Sequence, residues 1–515
     1  MVRKNPPHSC HKNVKMKTKL FGVLLLIETA ALLFTAAVAG HYHFAAGEND
    51  YLYFIQTACI TGFCGLVLYF IGRCIKKTLQ IKDTFLVVAL AWVLFSAFGM
   101  LPFLFSDTID NVTDAFFETM SGFTTTGATV LNNIDSLPHG ILFWRSLMQW
   151  MGGLGIVVFT LAFLPSVAKG SKKMSLFAAE APGLNVEKLA PTTQGTSRVL
   201  WLIYIILTIL CATFYYIGPM GFFDSVCHAL TTIATGGFST HQASIGYFQS
   251  DYLEYICSMF MLMAGINFAM YHFLAWRRFD VIKKNEELRW YIGLILANVV
   301  LFVVLFLFAP MADGVTERQL AIFPKGFNDT VRTSLFHVTS LLSNTGFQAS
   351  NFDYDLWGIM FVIPTLLLMV TGGCAGSTSG GIKVIRVIVL FKFIKTGLSE
   401  IIHPTRMFSI KISDQIVDTS SVKRVAAFLS LFIMLLVLNM LVLPIMGMGV
   451  WDSCSAFLTC ISNYGPGSGL TGPSGSFVAV PQAAKWLLSF DMLVGRLEIF
   501  TILMLFTKYF WKTTK

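Results

Sequence analysis

Long apolar segments constrain this chain more than any other feature of its sequence. A helix of about 20 apolar residues spans the hydrocarbon core of a bilayer. Ten segments of the 515-residue chain qualify, at residues 20–40, 51–72, 84–105, 141–168, 198–218, 253–275, 290–309, 356–394 (interrupted), 425–446 and 486–510. Charged residues make up only 13% of the chain, too few to cover a soluble surface of this size. We therefore expect an all-α polytopic membrane protein.

Four shorter, half-apolar segments lie between these spans. They cover residues 111–122, 222–234, 331–342 and 451–461. At about 12 residues each, they are too short to cross a bilayer and are typical of re-entrant helices. Of the 37 Lys and Arg residues, 31 fall on one side if the N-terminus is cytoplasmic, and four fall on the other. This bias predicts that both termini are cytoplasmic and excludes nucleic-acid binding as the reason for the net charge of +9.

Each short segment is followed by a related sequence that contains a glycine. The four sequences are FTTTGAT (123–129), IATGGFS (233–239), SNTGFQA (343–349) and SNYGPGS (462–468). Aligning Gly127, Gly236, Gly346 and Gly465 gives spacings of 109, 110 and 119 residues. The repeated unit is a span, a short re-entrant helix, a glycine turn and a second span. Four such units follow an extra N-terminal pair of helices.

Four re-entrant loops entering from one side can surround a single axis. Irregular backbone at membrane depth is tolerated only where it is buried or lines a watery cavity. Glycine permits positive φ, so successive carbonyl oxygens can turn toward a common centre and replace the hydration shell of a cation. Glycines that simply allow close helix packing are the alternative. The near-constant spacing favours a pore for a monovalent cation.

The repeats also predict a division of the chain. We assign residues 1–82 to a basic tail and two extra spanning helices, 83–196 to the first repeat and a cytoplasmic loop, 197–288 to the second repeat, 289–421 to the third repeat with an intramembrane loop at 371–381, and 422–515 to the fourth repeat.

Several longer motifs accompany the glycine turns. They are WRSLMQWMGGLGI (144–156), MSLFAAEAPG (174–183), LTTIATGGFSTH (230–241), GGCAGSTSGGIKVIR (372–386) and GRLEIF (495–500). In these motifs the chain resembles the Trk/Ktr/HKT superfamily of potassium transporters, specifically its bacterial Trk-type (TrkH-like) pore subunits. The two extra N-terminal helices favour the Trk branch over the shorter Ktr branch.

The resemblance implies a K⁺ selectivity filter built from the four glycine turns. Its implied residues are Thr125, Thr126, Gly127, Ala234, Thr235, Gly236, Asn344, Thr345, Gly346, Asn463, Tyr464 and Gly465. The fourth loop departs from the Thr-Gly pattern, since Tyr464 precedes its glycine and Pro466 follows it. Backbone coordination tolerates this variety, but the degree of selectivity for K⁺ over Na⁺ stays open.

A run of glycine and hydroxyl residues from Thr371 to Gly381 interrupts the eighth apolar segment. Each glycine costs about 1 kcal/mol relative to alanine in a helix, so this run predicts a break in the membrane. It is not a phosphate-binding loop, because no Gly-Lys-Ser/Thr follows. A simple kink is the alternative to a mobile loop beneath the filter that resembles the family's gate. The implied gate residues are Gly372, Gly373, Gly376, Ser377, Thr378, Ser379, Gly380, Gly381 and Arg496.

Arg496 lies within the last span, where an unpaired charge is costly. We expect its partner to be carbonyl groups of the 371–381 loop rather than Glu498, because residues two apart on a helix point in different directions. For Arg145, nearer the outer end of its span, snorkelling and a functional role stay equally open. Asp114, Asp224 and Asp452 are predicted to cap the short helices, with attraction of cations as a secondary effect.

We therefore expect uptake of potassium ion, the substrate, across the bacterial plasma (inner) membrane. The resemblance implies a homodimer of pore subunits and a cytosolic, nucleotide-binding regulatory subunit (TrkA-like). The basic loops 169–198 and 396–424 are candidate docking surfaces for that subunit. The chain has no cofactor motif of its own, so any nucleotide would act through the partner. A sodium-permeable or sodium-coupled relative is the alternative. A membrane-embedded enzyme is disfavoured because its histidines are dispersed over separate repeats.

Overall fold

The computed structural model describes residues 8–72, 81–153, 155, 193–308, 323–349, 357, 359–403, 409–413, 415–472 and 476–511. The described helices, numbered in chain order, are α1 (His8–Ala46), α2 (Tyr51–Ile71), α3 (Ile81–Gly99), α4 (Leu101–Phe105), α5 (Val112–Phe123), α6 (His139–Gly153), α7 (Thr193–Ile217), α8 (Phe222–Ile233), α9 (Asp251–Ala264), α10 (Phe268–Ala275), α11 (Phe279–Lys284), α12 (Glu286–Phe308), α13 (Phe327–Leu342), α14 (Ile359–Val370), α15 (Val384–Ile402), α16 (Thr419–Ile445), α17 (Val450–Ser462), α18 (Gln482–Arg496), α19 (Ile499–Leu503) and α20 (Lys508–Trp511). One antiparallel hairpin pairs Lys411–Ile412 with Gln415–Ile416.

Six of the ten predicted spans are apolar helical segments long enough to cross a membrane, in the described residues. They cover Met16–Ala46, Tyr51–Ile71, Phe85–Phe105, Gly195–Ile217, Glu286–Phe308 and Thr419–Ile445. Their outward faces carry large apolar side chains, such as Leu296 and Ile433, which are 61% and 60% exposed. Because water would not tolerate so much exposed apolar surface, these faces are suited to lipid. The all-α membrane class predicted from the sequence is confirmed.

The other four predicted spans are not continuous helices within the described residues. The segment predicted at 253–275 bends by 95° between α9 and α10. The segment predicted at 486–510 breaks after Arg496, where Glu498 has a φ of 59°. The 371–381 loop separates α14 from α15, as expected. In the segment predicted at 141–168, the described residues run without a gap only as far as Gly153. The sequence therefore indicated only one of three observed breaks, because a lone glycine such as Gly265 is a weak signal in an apolar run.

The four short helices α5, α8, α13 and α17 form where the sequence predicted re-entrant segments. Three agree with the prediction within one residue at each end, while α13 begins four residues earlier, at Phe327. That early start adds a polar turn containing Asp329, which ion-pairs with Arg332 at 3.3 Å. Each short helix packs against spanning helices; α5, for example, contacts α3, α6 and α18. Their last two turns are buried, so they carry their C-terminal ends into the interior of the bundle.

Candidate functional site

The four loops that follow the short helices share one backbone conformation. The first residue of each has left-handed φ, namely Thr125 (55°), Thr235 (53°), Asn344 (55°) and Asn463 (52°). Two residues later each has a left-handed glycine: Gly127 (82°), Gly237 (76°), Gly346 (80°) and Gly465 (98°). The residue between them donates its N–H to a carbonyl five residues earlier, at 2.9–3.0 Å in all four loops. Glycine adopts left-handed φ without the strain that a side chain adds, which suits it to the third position of each loop.

This common geometry corrects the predicted register of the second loop by one residue. Gly237, not Gly236, is the counterpart of the other three glycines. Gly236 instead matches the middle position, because its N–H bonds to the Thr231 carbonyl. Ala234 lies before the loop, as the C-terminal capping residue of α8. The sequence alignment failed because two adjacent glycines offer two registers, and only the backbone angles distinguish them.

The four glycines close a ring in which each packs on the next loop. A Cβ atom added at Gly127 would lie 2.2 Å from the Gly236 carbonyl oxygen. The corresponding distances are 2.1 Å from Gly237 to Thr345 and 2.1 Å from Gly346 to Tyr464, both to carbonyl oxygens. The ring closes with 2.6 Å from Gly465 to the Thr126 carbonyl oxygen. Any side chain at these positions would therefore displace a backbone carbonyl of the neighbouring loop.

The same four glycines line a cavity on the side that the sequence assigns to the outside. Its wall includes Arg145, His241 and Gln348. All four repeats contribute residues to this cavity. The loops therefore meet around one axis, with an open approach from one side.

A buried ion pair supports the first loop from behind. Arg145, only 1% exposed, donates from Nε to Glu118 on α5 at 3.0 Å. Its Nη1 also donates to the Ser239 carbonyl at 3.1 Å, and its guanidinium lies 4.1 Å from the Phe238 ring. Glu118 in turn accepts from the Thr129 hydroxyl and the Val130 N–H. Arg145 therefore does not snorkel: it links α6, α5 and the segments that leave the first and second loops.

The three predicted capping aspartates do not cap their helices. The N-terminal capping positions belong to Asn111, Gly221 and Gly449. The aspartates lie in the first turn of each helix, where a negative charge interacts favourably with the helix dipole. Each of them ties an outer segment down: Asp114 pairs with Lys485 Nζ at 2.6 Å, Asp224 accepts from the Thr240 hydroxyl at 2.7 Å, and Asp452 accepts from the Leu470 N–H at 2.8 Å.

The loop at residues 371–381 lies directly against the inner ends of the glycine loops. Thr378 Oγ1 donates to the Ile233 carbonyl at the end of α8 at 2.9 Å. A Cβ atom at Gly380 would lie 2.1 Å from the Ser462 carbonyl oxygen, and one at Gly372 would lie 3.1 Å from Asn344 Oδ1. The loop is tied at its base, where Thr371 and Ile382 form a parallel bridge. The predicted gate residues of this loop thus divide into two groups. Gly372, Thr378, Gly380 and Gly381 lie against the ends of the glycine loops, whereas Gly373 and Gly376 lie against Gly265 and Asn267 at the break between α9 and α10, and Ser377 and Ser379 bond to each other.

Arg496 contacts this loop as predicted from the sequence. Its Nη1 donates to the Thr378 carbonyl at 2.8 Å. Its Nη2 donates to the carbonyls of Gly152 and Gly153, at 2.6 and 2.5 Å, at the end of α6. Glu498 pairs with Arg386 instead. The guanidinium thus joins the fourth repeat, the first repeat and the loop of the third.

Two further loop anchors gave no signal in the sequence. Glu287, at the start of α12, accepts N–H groups from Ala375 at 2.7 Å and from Ile385 at 3.2 Å. Gln149 on α6 donates from Nε2 to the Gly236 carbonyl of the second glycine loop at 2.7 Å. A lone Glu or Gln is usually a solvated polar residue, so only tertiary contacts reveal these roles.

Comparison with known proteins gives the family. The profile of the TrkH family, described as a cation transport protein, matches residues 53–512. The chain belongs to the TrkH family. A Trk system potassium uptake protein TrkH from Vibrio parahaemolyticus is 38% identical over 504 residues, 96% of this chain and 99% of that protein. TrkH of Salmonella typhimurium is 36% identical over 499 residues, 96% and 99% of the two chains.

The solved structures agree with this assignment. The crystal structure of the potassium transporter TrkH from Vibrio parahaemolyticus matches with a TM-score of 0.83 at 33% identity, covering 97% of this chain and 99% of that one. TrkG of Escherichia coli, another Trk system potassium uptake protein, is 32% identical over 506 residues. Since the TrkH family consists of transport proteins, the expectation that the chain is not an enzyme is confirmed.

Some predicted features of this TrkH family member lie outside the described residues. They include the MSLFAAEAPG motif at 174–183 and most of the basic loop 169–198. Residues 404–408 and 414 of the second candidate docking loop, 396–424, are also outside them.

Proposed function

We propose that this protein takes up potassium through the ring of four glycine loops. The observation that carries the proposal is the ring itself: four left-handed glycines, one from each repeat, packed cyclically against the carbonyls of the next loop. Backbone carbonyls in a ring replace the hydration shell of an alkali cation. The short helices direct their C-terminal ends, each about half a negative charge, toward the same region. The relatives are named Trk system potassium uptake proteins, which supports potassium as the ion.

In this proposal the ion ligands come from the three residues of each loop. With the corrected register they are Thr125, Thr126 and Gly127; Thr235, Gly236 and Gly237; Asn344, Thr345 and Gly346; and Asn463, Tyr464 and Gly465. Potassium enters from the outer cavity and loses water at the ring. It then meets the 371–381 loop, which blocks its way.

The 371–381 loop and Arg496 form the proposed gate. The loop has no long side chains between Thr371 and Gly381, so it can move aside without displacing bulky groups. Thr378 and Ser379 are buried beneath the ring, only 1% and 3% exposed. The guanidinium of Arg496 holds the Thr378 carbonyl and adds a positive charge that opposes a cation at this depth. Opening requires the bond between Arg496 and the loop to break.

Uptake of ⁸⁶Rb⁺ into proteoliposomes, with K⁺ or Na⁺ as competitor, tests the proposal. We expect inhibition by K⁺ and little by Na⁺, and loss of this pattern in Gly346→Ser, whose new Cβ would lie 2.1 Å from the Tyr464 carbonyl oxygen. Gly293→Ser is the matched control, because nothing lies within 4 Å of a Cβ at that position. Arg496→Ala should release a gate held shut without the regulatory subunit. If neither the wild type nor Arg496→Ala transports Rb⁺, the proposal is wrong.

A sodium-permeable or sodium-coupled transporter is the second candidate. The observation in its favour is the fourth loop, where Tyr464 and Pro466 flank the filter glycine. Pro466 Cδ would lie 3.0 Å from a Cβ at Gly346, so the proline packs directly on the third loop. Equal inhibition of Rb⁺ uptake by Na⁺ and K⁺ would favour this second candidate.

The proposed setting follows from the same expectations. The protein is a multi-pass membrane protein, and we place it in the bacterial inner membrane with both termini cytoplasmic. A homodimer and a cytosolic, nucleotide-binding TrkA-like subunit are the proposed partners, with any nucleotide bound by that subunit rather than by this chain. Size determination of the purified protein in detergent, alone and with the subunit, tests both partners.

A further inference from the structure

The contact between the first and second filter loops contains a buried glutamine. Gln149, on α6, is fully buried. Its Nε2 donates to the Gly236 carbonyl at 2.7 Å, and its Oε1 accepts from the Phe238 N–H at 3.0 Å. These two bonds flank Gly237, the left-handed glycine of the second loop. One carboxamide therefore holds the backbone on both sides of a ring glycine.

The contact between the fourth and first loops has a different side chain at the position that corresponds to Gln149. Gly152 and Gly495 are equivalent, because an added Cβ at each would meet the carbonyl oxygen of Phe123 or Ile461, the matching residues near the ends of α5 and α17, at 1.8 and 2.1 Å. Counting back three residues from each makes Met492 the counterpart of Gln149. The fourth repeat thus has an apolar side chain where the first has a carboxamide.

A filter residue makes the polar contact between the fourth and first loops instead. Asn463 Nδ2 donates to the Thr126 hydroxyl at 2.9 Å and to the Met492 carbonyl at 3.0 Å. The counterpart of Asn463 in the first repeat is Thr125. Its shorter side chain has an Oγ1 that makes no hydrogen bond in the described part of the chain. The first repeat must therefore reach the second loop with another side chain.

The residue that receives the contact also differs between the first and second loops. Thr126 carries a side chain, whereas its counterpart in the second loop is Gly236, which has none. A Cβ atom at Gly236 would lie 2.3 Å from Cδ of Gln149. Gly236 does not have left-handed φ, so its backbone conformation would accept other residues. Glycine is needed at this position to make room for the carboxamide, not for its conformational freedom.

We propose that Gln149 is a positioning residue that sets ion selectivity, standing in for the side chain that Gly236 lacks. The proposal rests on the proposed filter function. The carboxamide fixes the Gly236 carbonyl and, through the Phe238 N–H, the exit from Gly237. Without it the second loop can relax toward the axis and surround a smaller ion. Discrimination between K⁺ and Na⁺ depends on the spacing and number of such carbonyl ligands.

Three variants test this pairing by ⁸⁶Rb⁺ uptake with K⁺ or Na⁺ as competitor. Gln149→Met removes both hydrogen bonds with little change in volume, and Gly236→Thr drives a side chain into the carboxamide. The triple variant Thr125→Asn/Gln149→Met/Gly236→Thr recreates the Asn463, Met492 and Thr126 set of the fourth and first loops, in which the asparagine makes the polar contact. Met148→Leu is the control, because Met148 is equally buried on α6 but packs on Gly122 of the short helix α5.

We expect each single variant to lower the preference for K⁺ over Na⁺ about tenfold, because both changes release the Gly236 carbonyl from the carboxamide. The triple variant should regain most of that preference, and Met148→Leu should keep it. Wild-type selectivity in Gln149→Met, or a triple variant no better than the worse single one, would overturn the proposal. If Gln149→Met does not fold, recovery of folded, selective protein in the triple variant supports it, and failure to recover refutes it. Absence of K⁺ preference in the wild type would instead count against the filter function itself.

Discussion

Replacing Arg496 by alanine should open the pathway in the absence of any regulatory subunit. Within the described residues, this guanidinium donates to the Thr378 carbonyl at 2.8 Å, and that bond ties it to the intramembrane loop. The bonds to Gly152 and Gly153 join α18 to α6, and a displaced loop leaves them intact. The bond to Thr378, from a charged donor, therefore sets the least free energy that Arg496 contributes to holding the loop in place.

The size of the effect follows from that one bond. A hydrogen bond to a charged group contributes about 1.5–3 kcal/mol. At about 1.4 kcal/mol per factor of ten, its loss raises the population with a displaced loop about 10- to 150-fold. Removal of the positive charge also lowers the electrostatic barrier to a cation, which acts in the same direction.

The assay is the initial rate of ⁸⁶Rb⁺ uptake into proteoliposomes that contain only this chain. Arg496→Lys should give an intermediate rate, because it keeps the charge but loses the planar fork that reaches three carbonyls. Arg278→Ala is the matched control, since Arg278 is an exposed residue whose nearest acidic partner, Asp280, lies 3.9 Å away. Folded Arg496→Ala protein with the wild-type rate would refute the assignment of this bond to the gate.

Three other outcomes are expected. Glu118→Ala leaves Arg145 buried without its anion and should destabilise the protein by about 3–5 kcal/mol, seen as a lower thermal midpoint in detergent; Glu118→Gln/Arg145→Gln should be milder, and equal losses would contradict the pairing. Gly237→Ala should abolish uptake, because its Cβ would lie 2.1 Å from a carbonyl oxygen and its φ is left-handed; wild-type uptake would contradict the corrected register. Burial alone would lower the pKa of His241, but its two neighbouring aspartates outweigh burial and raise it. Its contribution of about 0.2–1 kcal/mol should thus be present below about pH 6.5 and lost as pH rises through the higher folded pKa, so the stability difference from His241→Gln should shrink between pH 6 and 9. A difference that does not change with pH would contradict this pairing.

The sequence predicted the helices better than it predicted where they break. The sequence predicted the short helix α17 within one residue of its observed bounds. Its apolar residues recur with the period of a helix, and turn residues flank the segment. The break of the last span after Arg496 was missed. The local sequence signals of this break are Gly495 and the two charged residues after it, Arg496 and Glu498. The run from Thr371 to Gly381, by contrast, breaks a helix through its glycine content alone.

Polar partners were predictable only where geometry left one choice. Arg496 had to find carbonyls within the membrane, and it does so at Thr378. Arg145 could equally have reached the outer surface, and only the position of Glu118 on α5 decides that it is buried. The capping aspartates were wrong by one turn, because Asn111 and two glycines occupy the capping positions before them.

The sequence by itself determined the all-α membrane class, the fourfold repeat and three of the four ring glycines. These features follow from local composition and from the spacings of 109 to 119 residues between the glycines. Only the tertiary structure decided that Gly237 rather than Gly236 completes the ring, and that Gln149 fills the space that Gly236 leaves. The reason is physical: both choices depend on contacts between loops of different repeats, roughly a hundred residues apart in the chain, and such contacts leave no periodic trace in the sequence of either loop.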